Sequence, residues 1–312
     1  MKTLSKQMLN FLPSFVVGTI AISLLTLNIF FWCGWLIALA IIKLLIPVKA
    51  IRKVFDVLLI ALAKSWVSLN SGWMKLTQNT NWDVKGIENM DTNGWYLVSA
   101  NHQSWVDILV LQHVFNGKIP FIKFFLKQEL IRVPIMGLCW WALDFPFMKR
   151  FSKSYLEKHP EMKGKDLETT RIACEKFSIV PTSVMNFLEG TRLTKSKHEK
   201  QNSPYKHLLK PKAGGIAFAI NAMGDKFQSL LDVTIVYPDG IPTFIDFLFG
   251  RVKNITVRVN NIHIPEHFSE KDYNSDPDFK KEIQQWTHDM WLEKDALISK
   301  LSSDQLQQPL RS

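Results

Sequence analysis

The sequence predicts an α/β protein, built mostly on a central sheet flanked by helices, with an N-terminal membrane helix and an amphipathic helix ahead of it. Three observations predict this. Beyond residue 80, short apolar runs typical of strands alternate with helical runs. Before it, residues 7–42 contain no Asp, Glu, Lys, Arg or His. Near the end of the chain, residues 276–301 have the pattern of one long amphipathic helix, with Pro277 near its start.

The uncharged run at residues 7–42 is longer than the roughly 20 residues with which a helix crosses a bilayer. A cleaved signal peptide fits poorly, because its apolar core would be about 7–15 residues long. As one straight helix the run would extend about 54 Å, which exceeds the roughly 30 Å of a bilayer core. We therefore expect Pro13, Gly18 and Gly34 to bend or end it. Asn28, near its middle, leaves a re-entrant hairpin open.

Basic residues flank this run unequally. Two lysines precede it, and four basic residues follow within eleven positions: Lys43, Lys49, Arg52 and Lys53. This asymmetry places the C-terminal side in the cytosol, and so predicts a domain on the cytoplasmic face of a membrane, the inner membrane if the source is bacterial. We expect a membrane segment at 1–46, an amphipathic membrane-associated helix at 47–80, an α/β domain at 81–302 and a disordered tail at 303–312.

The second helix carries Asp56 and Lys64 among many apolar residues over 54–76. It fits a helix lying on the membrane and a core helix of the domain equally well. Within the domain, alternation and turn residues predict strands at 95–100, 119–125, 182–188, 231–237 and 254–264, and helices at 107–115, 166–177, 214–223 and 276–301.

The chain has a net charge of +10 and a pI of about 9.4, which favours anionic partners: nucleic acid, an anionic lipid surface or phosphorylated small molecules. The basic residues are scattered through apolar stretches rather than gathered in a stripe, and no base-stacking motif occurs, so we expect no nucleic-acid partner. The three cysteines include no CxxC pair, which disfavours a disulfide framework or a zinc ribbon.

A histidine and a carboxylate interrupt the apolar pattern at NHQSWVD, residues 101–107. On one regular helix His102 and Asp107 would lie about 140° apart and could not meet. They can meet if His102 lies in a turn after the strand and Asp107 lies on the first turn of the following helix. An aspartate that holds one imidazole nitrogen leaves the other free to accept a proton. The pair is thus a candidate general base, and a structural contact is the alternative.

A second polar group, Glu189, Gly190, Thr191 and Arg192, follows an apolar strand in NFLEGTR. Ligands of open α/β sheets bind outside the carboxyl ends of the strands. Glycine there allows close backbone approach, Arg192 can hold a phosphate, and Glu189 can bind a hydroxyl or hold Arg192. The alternative is a turn with a solvated ion pair.

Lys210 and Lys212 precede the predicted helix at 214–223, which resembles an anion site at a helix N-terminus. The histidines of HIPEH are separated by Pro265 and no HExxH occurs, so we expect no metal site.

Together these stretches resemble the glycerolipid acyltransferases, the lysophosphatidate (1-acylglycerol-3-phosphate) acyltransferase family, over roughly residues 85–265. NHQSWVD is similar to the family's Asn-His-x4-Asp block and KRFSKS to its second block. FLEGTR is similar to Phe-Pro-Glu-Gly-Thr-Arg, and VTIVYP (233–238) to the fourth block. Leu188 stands where many members have proline. That variant resembles the branch of plant and animal lysophospholipid acyltransferases and leaves the acceptor open.

The resemblance implies an enzyme that moves a fatty acyl group to a lysophospholipid hydroxyl without an acyl-enzyme. His102, oriented by Asp107, would deprotonate the sn-2 hydroxyl. Arg150, Glu189, Gly190 and Arg192 would bind the acceptor. We also expect Thr191, and Asn101 of the same block as His102, to bind substrate. We add Lys210 and Lys212 as positive charge for a phosphate or for coenzyme A. The partners would be membrane lipids, the lysophospholipid acceptor and an acyl-CoA or acyl carrier protein thioester, with no bound cofactor.

Two other readings remain open. The acceptor could be a lysocardiolipin-type or lysophosphatidylinositol-type lipid instead of lysophosphatidate. The chain could also be a non-catalytic lipid-binding scaffold, although His102, Asp107 and Glu189 are all present.

Overall fold

The computed structural model of the protein describes residues 9, 11–148, 158–159, 180–223, 226–271, 273 and 275–306. Its helices are α1 Ser14–Leu45, α2 Lys49–Thr77, α3 Val106–Phe115, α4 Met136–Ala142, α5 Lys195–Gln201, α6 Gly214–Met223, α7 Phe244–Leu248 and α8 Pro277–Leu306. Its strands are β1 Asn81–Lys85, β2 Tyr96–Ala100, β3 Ile122–Phe124, β4 Leu126–Lys127, β5 Phe147–Met148, β6 Ser183–Phe187, β7 Ser229–Val236 and β8 Asn254–Ile262. Short 3-10 turns cover Gln128–Arg132 and Glu266–Phe268.

The apolar N-terminal run forms one continuous helix. It starts directly after Pro13 and passes through Gly18, Asn28 and Gly34. The expectation that the glycines could end the helix was wrong, and so was a re-entrant break at Asn28. A glycine inside a helix costs only about 1 kcal/mol, which the packing of a long apolar helix outweighs.

The chain reverses after α1, and α2 packs alongside it. The contact between them includes a buried polar cluster: Asn28 donates to the Asn70 side chain at 2.8 Å and to the Trp66 carbonyl at 3.1 Å. Asn70 also accepts from the Trp73 indole at 3.0 Å. By length and composition, both α1 and α2 are long and apolar enough to cross a membrane.

The helical pair also lies against the rest of the protein. Gly18 faces the ring of Phe249, and Lys43 near the far end of α1 forms ion pairs with Asp56 and Asp144. Large apolar side chains of α1 and α2 remain exposed, among them Phe30, Trp35 and Val54.

The six-stranded sheet has the order β1-β8-β7-β2-β6-β3. Strands β7, β2, β6 and β3 are parallel to one another, while β8 runs antiparallel to β7 and β1 runs with β8. The carboxyl ends of β7, β2 and β6 therefore lie side by side, with Ala100 opposite Phe187 and Val233. A separate two-stranded ribbon pairs β4 with β5.

Successive residues of the central strands enter different cores, as the two-residue period of a strand requires. Leu97, Val184 and Leu230 pack with α6 and α8, whereas Val98, Met185 and Leu231 pack with the helices on the other face. The predicted sheet with helices on both faces is confirmed.

The predicted strands at 95–100, 182–188, 231–237 and 254–264 are found with ends that differ by at most two residues, whereas the strand predicted at 119–125 is found only over Ile122–Phe124. The helices predicted at 107–115 and 214–223 are also found, and the last helix extends to Leu306. The helix predicted at 166–177 lies outside the described residues. The sequence did not predict β1, the ribbon of β4 and β5, or the short helices α4, α5 and α7.

Candidate active site

His102 and Asp107 meet at a strand–helix junction, as their spacing predicts. Strand β2 ends at Ala100, the chain turns, and α3 begins at Val106. This turn brings His102 Nδ1 to 2.8 Å from Asp107 Oδ2, with Asp107 on the first turn of the helix. A carboxylate in this position is favoured by the helix dipole.

Hydrogen-bond donors surround the fully buried Asp107 carboxylate. The backbone N–H groups of Gln103 and Ser104 donate to Oδ2 at 2.7 and 2.8 Å, and the Tyr237 hydroxyl donates to Oδ1 at 2.6 Å. Burial, and then the Asp107 charge, hold the pKa of Tyr237 well above its usual value, so the hydroxyl stays a donor. An ionised carboxylate can only accept, so a hydrogen bond from His102 Nδ1 to Asp107 requires a proton on that nitrogen.

The His102 ring packs against an aromatic ring on one side and is partly exposed to solvent. It stacks on the Phe187 ring with centroids 3.9 Å apart and planes 15° from parallel. Its side chain is 12% exposed, and none of the described residues hydrogen-bonds to Nε2. Nε2 is thus positioned to accept a proton from a ligand. The nearby Ser104 hydroxyl donates to the Pro242 carbonyl at 2.6 Å instead.

Glu189 is buried next to the backbone of His102. Its oxygens accept from the backbone N–H groups of His102 at 2.8 Å and Leu209 at 3.1 Å, and the residue is fully buried. Burial raises the pKa of Glu189 to about 7, with Asp107 raising it further, against the two N–H donors and the charge of Lys294. The carboxylate ties the turn that carries His102 to the segment that follows α5.

Asn101 is also buried and joins two strand ends. Its side-chain amide donates to the Ile235 carbonyl and accepts from the Ile235 N–H, both at 2.8 Å. Both polar atoms of this amide are therefore engaged between β2 and β7.

Gly190, Thr191 and Arg192 form the turn after β6. Gly190 has a φ of 67°, a conformation that glycine adopts without strain. Lys197 donates to the Thr191 hydroxyl at 2.7 Å and to the Arg192 carbonyl at 3.0 Å. The Arg192 guanidinium lies 4.6 Å from the ring centre of Trp105, which belongs to the histidine turn. The two predicted motifs are therefore neighbours in space.

The other residues that the sequence singled out have no described contact with the His102–Asp107 pair. Lys210 and Lys212 have exposed side chains just before α6, and the Lys212 N–H donates to the Leu188 carbonyl at 2.8 Å, which brings this segment to the end of β6. Arg150 lies outside the described residues. Among the histidines of HIPEH, His267 lies 2.7 Å from Glu282.

Sequence reasoning missed three side chains that shape this site: Tyr237, Phe187 and Trp105. Tyr237 directly follows β7, and Phe187 ends β6. The sequence did contain a signal: Trp105 lies in the motif that follows β2, and Phe187 and Tyr237 lie in the motifs at the ends of β6 and β7, the strands that flank β2. What the sequence lacked was the strand order that makes these ends neighbours.

The fold and the site define an α/β protein with a histidine–aspartate pair at the carboxyl ends of adjacent parallel strands. The family model described as Acyltransferase matches residues 81–238, half of the chain. The chain belongs to the acyltransferase family.

Two relatives have names that refer to lysophosphatidate chemistry. The human 1-acyl-sn-glycerol-3-phosphate acyltransferase gamma is 27% identical over 214 residues, which are 64% of this chain and 52% of that protein. The 1-acyl-sn-glycerol-3-phosphate acyltransferase 2 of Brassica oleracea is 26% identical over 218 residues, 65% of this chain and 51% of that protein.

A third relative has a different acceptor in its name. The 2-acyl-1-lysophosphatidylinositol acyltransferase of Saccharomyces cerevisiae is 25% identical over 247 residues, 65% of this chain and 60% of that protein.

The chain spans about half the length of the first curated relatives it matches.

Among solved structures, the 1-acyl-sn-glycerophosphate acyltransferase PlsC from Thermotoga maritima is similar, with a TM-score of 0.50 and 15% sequence identity. The similarity covers 89% of this chain and 95% of that one, and supports the fold assignment.

Proposed function

We propose that the protein transfers a fatty acyl group from an acyl thioester to the sn-2 hydroxyl of lysophosphatidate and so forms phosphatidate. The observation that carries this proposal is the His102–Asp107 contact of 2.8 Å, which leaves Nε2 open to a ligand beside the Glu-Gly-Thr-Arg turn. Membership of the acyltransferase family and the names of its relatives support the reaction class.

In the proposed reaction, His102 Nε2 takes the proton of the acceptor hydroxyl while Asp107 holds the ring and stabilises the imidazolium. The hydroxyl oxygen forms a bond to the thioester carbonyl carbon. The C–S bond of the resulting tetrahedral species breaks, and the proton returns from His102 to the departing thiolate. No acyl-enzyme is needed, because the acceptor brings the nucleophile.

The turn after β6 is proposed to bind the acceptor. Arg192 is half-buried against Trp105, and its charge suits a phosphate. Gly190 and Thr191 line the same turn, and Arg150, Lys210 and Lys212 remain proposed sources of positive charge. Because Asn101 and Glu189 are buried and bonded to backbone groups, we assign both to positioning His102.

The proposed setting is a membrane surface, with acyl-CoA or acyl carrier protein as the thioester donor and the site on the cytosolic side. Two helices with exposed apolar side chains support membrane association. Both the acceptor and the product are lipids, so a membrane-bound enzyme meets them where they dissolve.

The test is His102→Ala in the purified full-length protein, assayed for thioester-dependent acylation of lysophosphatidate. Loss of a positioned general base is expected to lower kcat about 10²–10⁴-fold. His263→Ala is the matched control, because His263 has an exposed side chain next to the end of β8. Activity of His102→Ala within about threefold of the wild type would contradict the proposed base.

A second acceptor class is favoured by a specific observation. One relative carries lysophosphatidylinositol in its name, and Leu188 replaces the proline that many members have. The same site would then act on a lysophosphatidylinositol-type or lysocardiolipin-type lipid. Rates on a panel of lysolipids separate the two acceptors, and lysophosphatidate among the poorest substrates would reject the first.

A further inference from the structure

A cavity of about 430 Å³ lies between the end of α1, the start of α2 and the amino end of β6. Its described lining includes five basic side chains: Lys43, Lys49, Arg52, Lys53 and Lys123. Small-molecule pockets in proteins are of this size, about 300–1,000 Å³. The cavity is large enough to admit a headgroup-sized anion.

The positive charge of this cavity is only partly neutralised. Lys43 is paired with Asp56 and with Asp144, the two carboxylates of the lining. By contrast, no ion pair within the described part of the chain engages Lys49, Arg52 or Lys53. Among the described residues, three cations therefore border one cavity without a carboxylate paired to any of them.

These three cations lie at the N-terminus of α2, where the helix dipole adds to the positive charge. Lys49 is the first residue of α2, and the first turn of this 29-residue helix contains no acidic residue. Positive side chains at a helix N-terminus are disfavoured by the helix dipole, and neighbouring cations repel one another. A bound anion would relieve both effects.

From this arrangement we infer that the cavity is a second anion site, which binds a phosphate group through Lys49, Arg52 and Lys53. It is separate from the proposed active site. Thr182 of the lining precedes β6, whereas Phe187, on which His102 stacks, ends that strand. Five residues of extended strand separate these positions by roughly 16 Å.

Two sources could supply such a phosphate: the headgroup of an anionic phospholipid, or a soluble phosphate ester such as coenzyme A. The surroundings favour the lipid, because Leu45, Val48, Ile51 and Val54 are apolar and exposed beside the cations. Basic residues next to exposed apolar side chains are typical of surfaces that bind anionic membranes.

The experiment compares the triple variant Lys49→Gln, Arg52→Gln, Lys53→Gln with a control that removes the same charge elsewhere. The control is Lys280→Gln, Lys281→Gln, Lys300→Gln, three exposed lysines of α8. The full-length proteins are sedimented with vesicles of phosphatidylcholine alone and of phosphatidylcholine with phosphatidylglycerol. The binding of coenzyme A and of inorganic phosphate is measured by titration calorimetry.

If the source is lipid, the α2 triple variant loses its preference for phosphatidylglycerol vesicles by about 100-fold, at about fivefold per charge, while the control keeps it. If the source is soluble, the same variant loses coenzyme A affinity instead. In either case sodium phosphate displaces the ligand from the wild type more strongly than sodium chloride of equal ionic strength. None of these measurements requires acyl transfer, so they are independent of the proposed activity.

Two outcomes overturn the inference. One is equal behaviour of the two triple variants towards vesicles, coenzyme A and phosphate. The other is displacement by phosphate and chloride to the same extent at equal ionic strength, which indicates diffuse surface charge and no built site. Matching unfolding midpoints for the two variants exclude misfolding as the cause of a loss.

Discussion

Tyr237 and Asp107 form the contact that controls the orientation of His102. The aspartate is fully buried, and the tyrosine hydroxyl is the side-chain donor to its Oδ1 atom, at 2.6 Å. Tyr237 comes from the end of β7, more than a hundred residues along the chain. The geometry of the histidine therefore depends on the sheet as well as on the local turn.

The change Tyr237→Phe removes this donor and leaves a buried charge with one bond fewer. A hydrogen bond to a charged group contributes about 1.5–3 kcal/mol, so kcat should fall about tenfold or more. KM should change little, since the hydroxyl is buried behind Asp107. Steady-state kinetics with the proposed lysolipid acceptor measures both constants.

The control for this change is Tyr96→Phe. The Tyr96 hydroxyl accepts from the Asp91 N–H at 2.9 Å, at the opposite end of β2 from His102. An equal loss of kcat in both variants would show that the effect comes from general destabilisation and not from the contact with Asp107.

Glu189 should make stability depend on pH in the direction opposite to most carboxylates. Burial raises its folded pKa to about 7, whereas an unfolded glutamate has a pKa of about 4.3. Between these values the folded protein holds a proton that the unfolded chain has released. The contribution is therefore present below about 4.3 and is lost as the pH rises through about 7, by at most about 4 kcal/mol.

Urea unfolding at several pH values between about 5 and 7 tests this expectation against Glu189→Gln. The glutamine cannot titrate, so the free energy of unfolding of the wild type should fall more steeply with rising pH than that of the variant. Identical slopes would mean that the two backbone donors keep the Glu189 pKa near its ordinary value.

At the scale of elements, the two glycines inside α1 differ in whether a neighbouring side chain excludes a Cβ atom. Gly18 and Gly34 are both inside the helix. A Cβ atom at Gly18 would lie 2.5 Å from the Phe249 ring, whereas one at Gly34 would have no atom within 4 Å. Only the first glycine is required by a close approach, which is the docking of α1 on the segment that follows α7.

We therefore expect Gly18→Ala to destabilise the packing of α1 by about 1–3 kcal/mol, the usual cost of overpacking. Gly34→Ala should be neutral or stabilising by up to about 1 kcal/mol, because alanine favours the helix. Thermal unfolding midpoints in detergent compare the two variants. A lower midpoint for Gly34→Ala than for Gly18→Ala would contradict the docking of α1 on Phe249.

Local pattern was sufficient for the elements whose apolar residues repeat regularly. The strands at Tyr96–Ala100 and Ser183–Phe187 and the helix at Gly214–Met223 are found where alternation and periodicity place them. Strand β1, NWDVK, was missed because its alternation is short and it pairs at the edge with β8. The brief helices α5 and α7 are stabilised by caps from Thr194 and Thr243, which periodicity does not detect.

Across the molecule, α8 is joined to the sheet by a buried charge. Lys294 lies 2.8 Å from Asp232 of β7 and donates to the Val233 carbonyl at 2.6 Å, with both residues almost fully buried. Burial lowers the pKa of Lys294 and raises that of Asp232, and each charge opposes the shift of the other. Helix α8 lies beyond the residues matched by the family model, so this pair links the matched segment to the end of the chain.

Lys294→Met should destabilise the protein by about 3–5 kcal/mol, since it leaves the Asp232 charge buried without a partner. The double variant Lys294→Met, Asp232→Asn should recover much of that loss, because neither charge remains. Denaturant unfolding of the two single variants and the double variant forms a mutant cycle. Additive losses would show that the two side chains do not interact.

The sequence by itself determined the α/β class and the apolar N-terminus. It also predicted that His102 and Asp107 meet across a strand–helix turn. All of these depend on periodicity or on local spacing, which a single sequence records. The roles of Asn101 and Glu189 could not be read in this way. Both belong to polar motifs, yet both are buried, because their partners Ile235 and Leu209 arrive from distant parts of the chain.

Strand order is the physical reason for this difference. Spacing along the chain predicts which residues share a turn, but the sequence does not state that β7 and β6 flank β2. That order brings Tyr237, Phe187 and the Glu-Gly-Thr-Arg turn to His102. It is set by the packing of two cores on opposite faces of one sheet, a long-range outcome that emerges only when the chain folds.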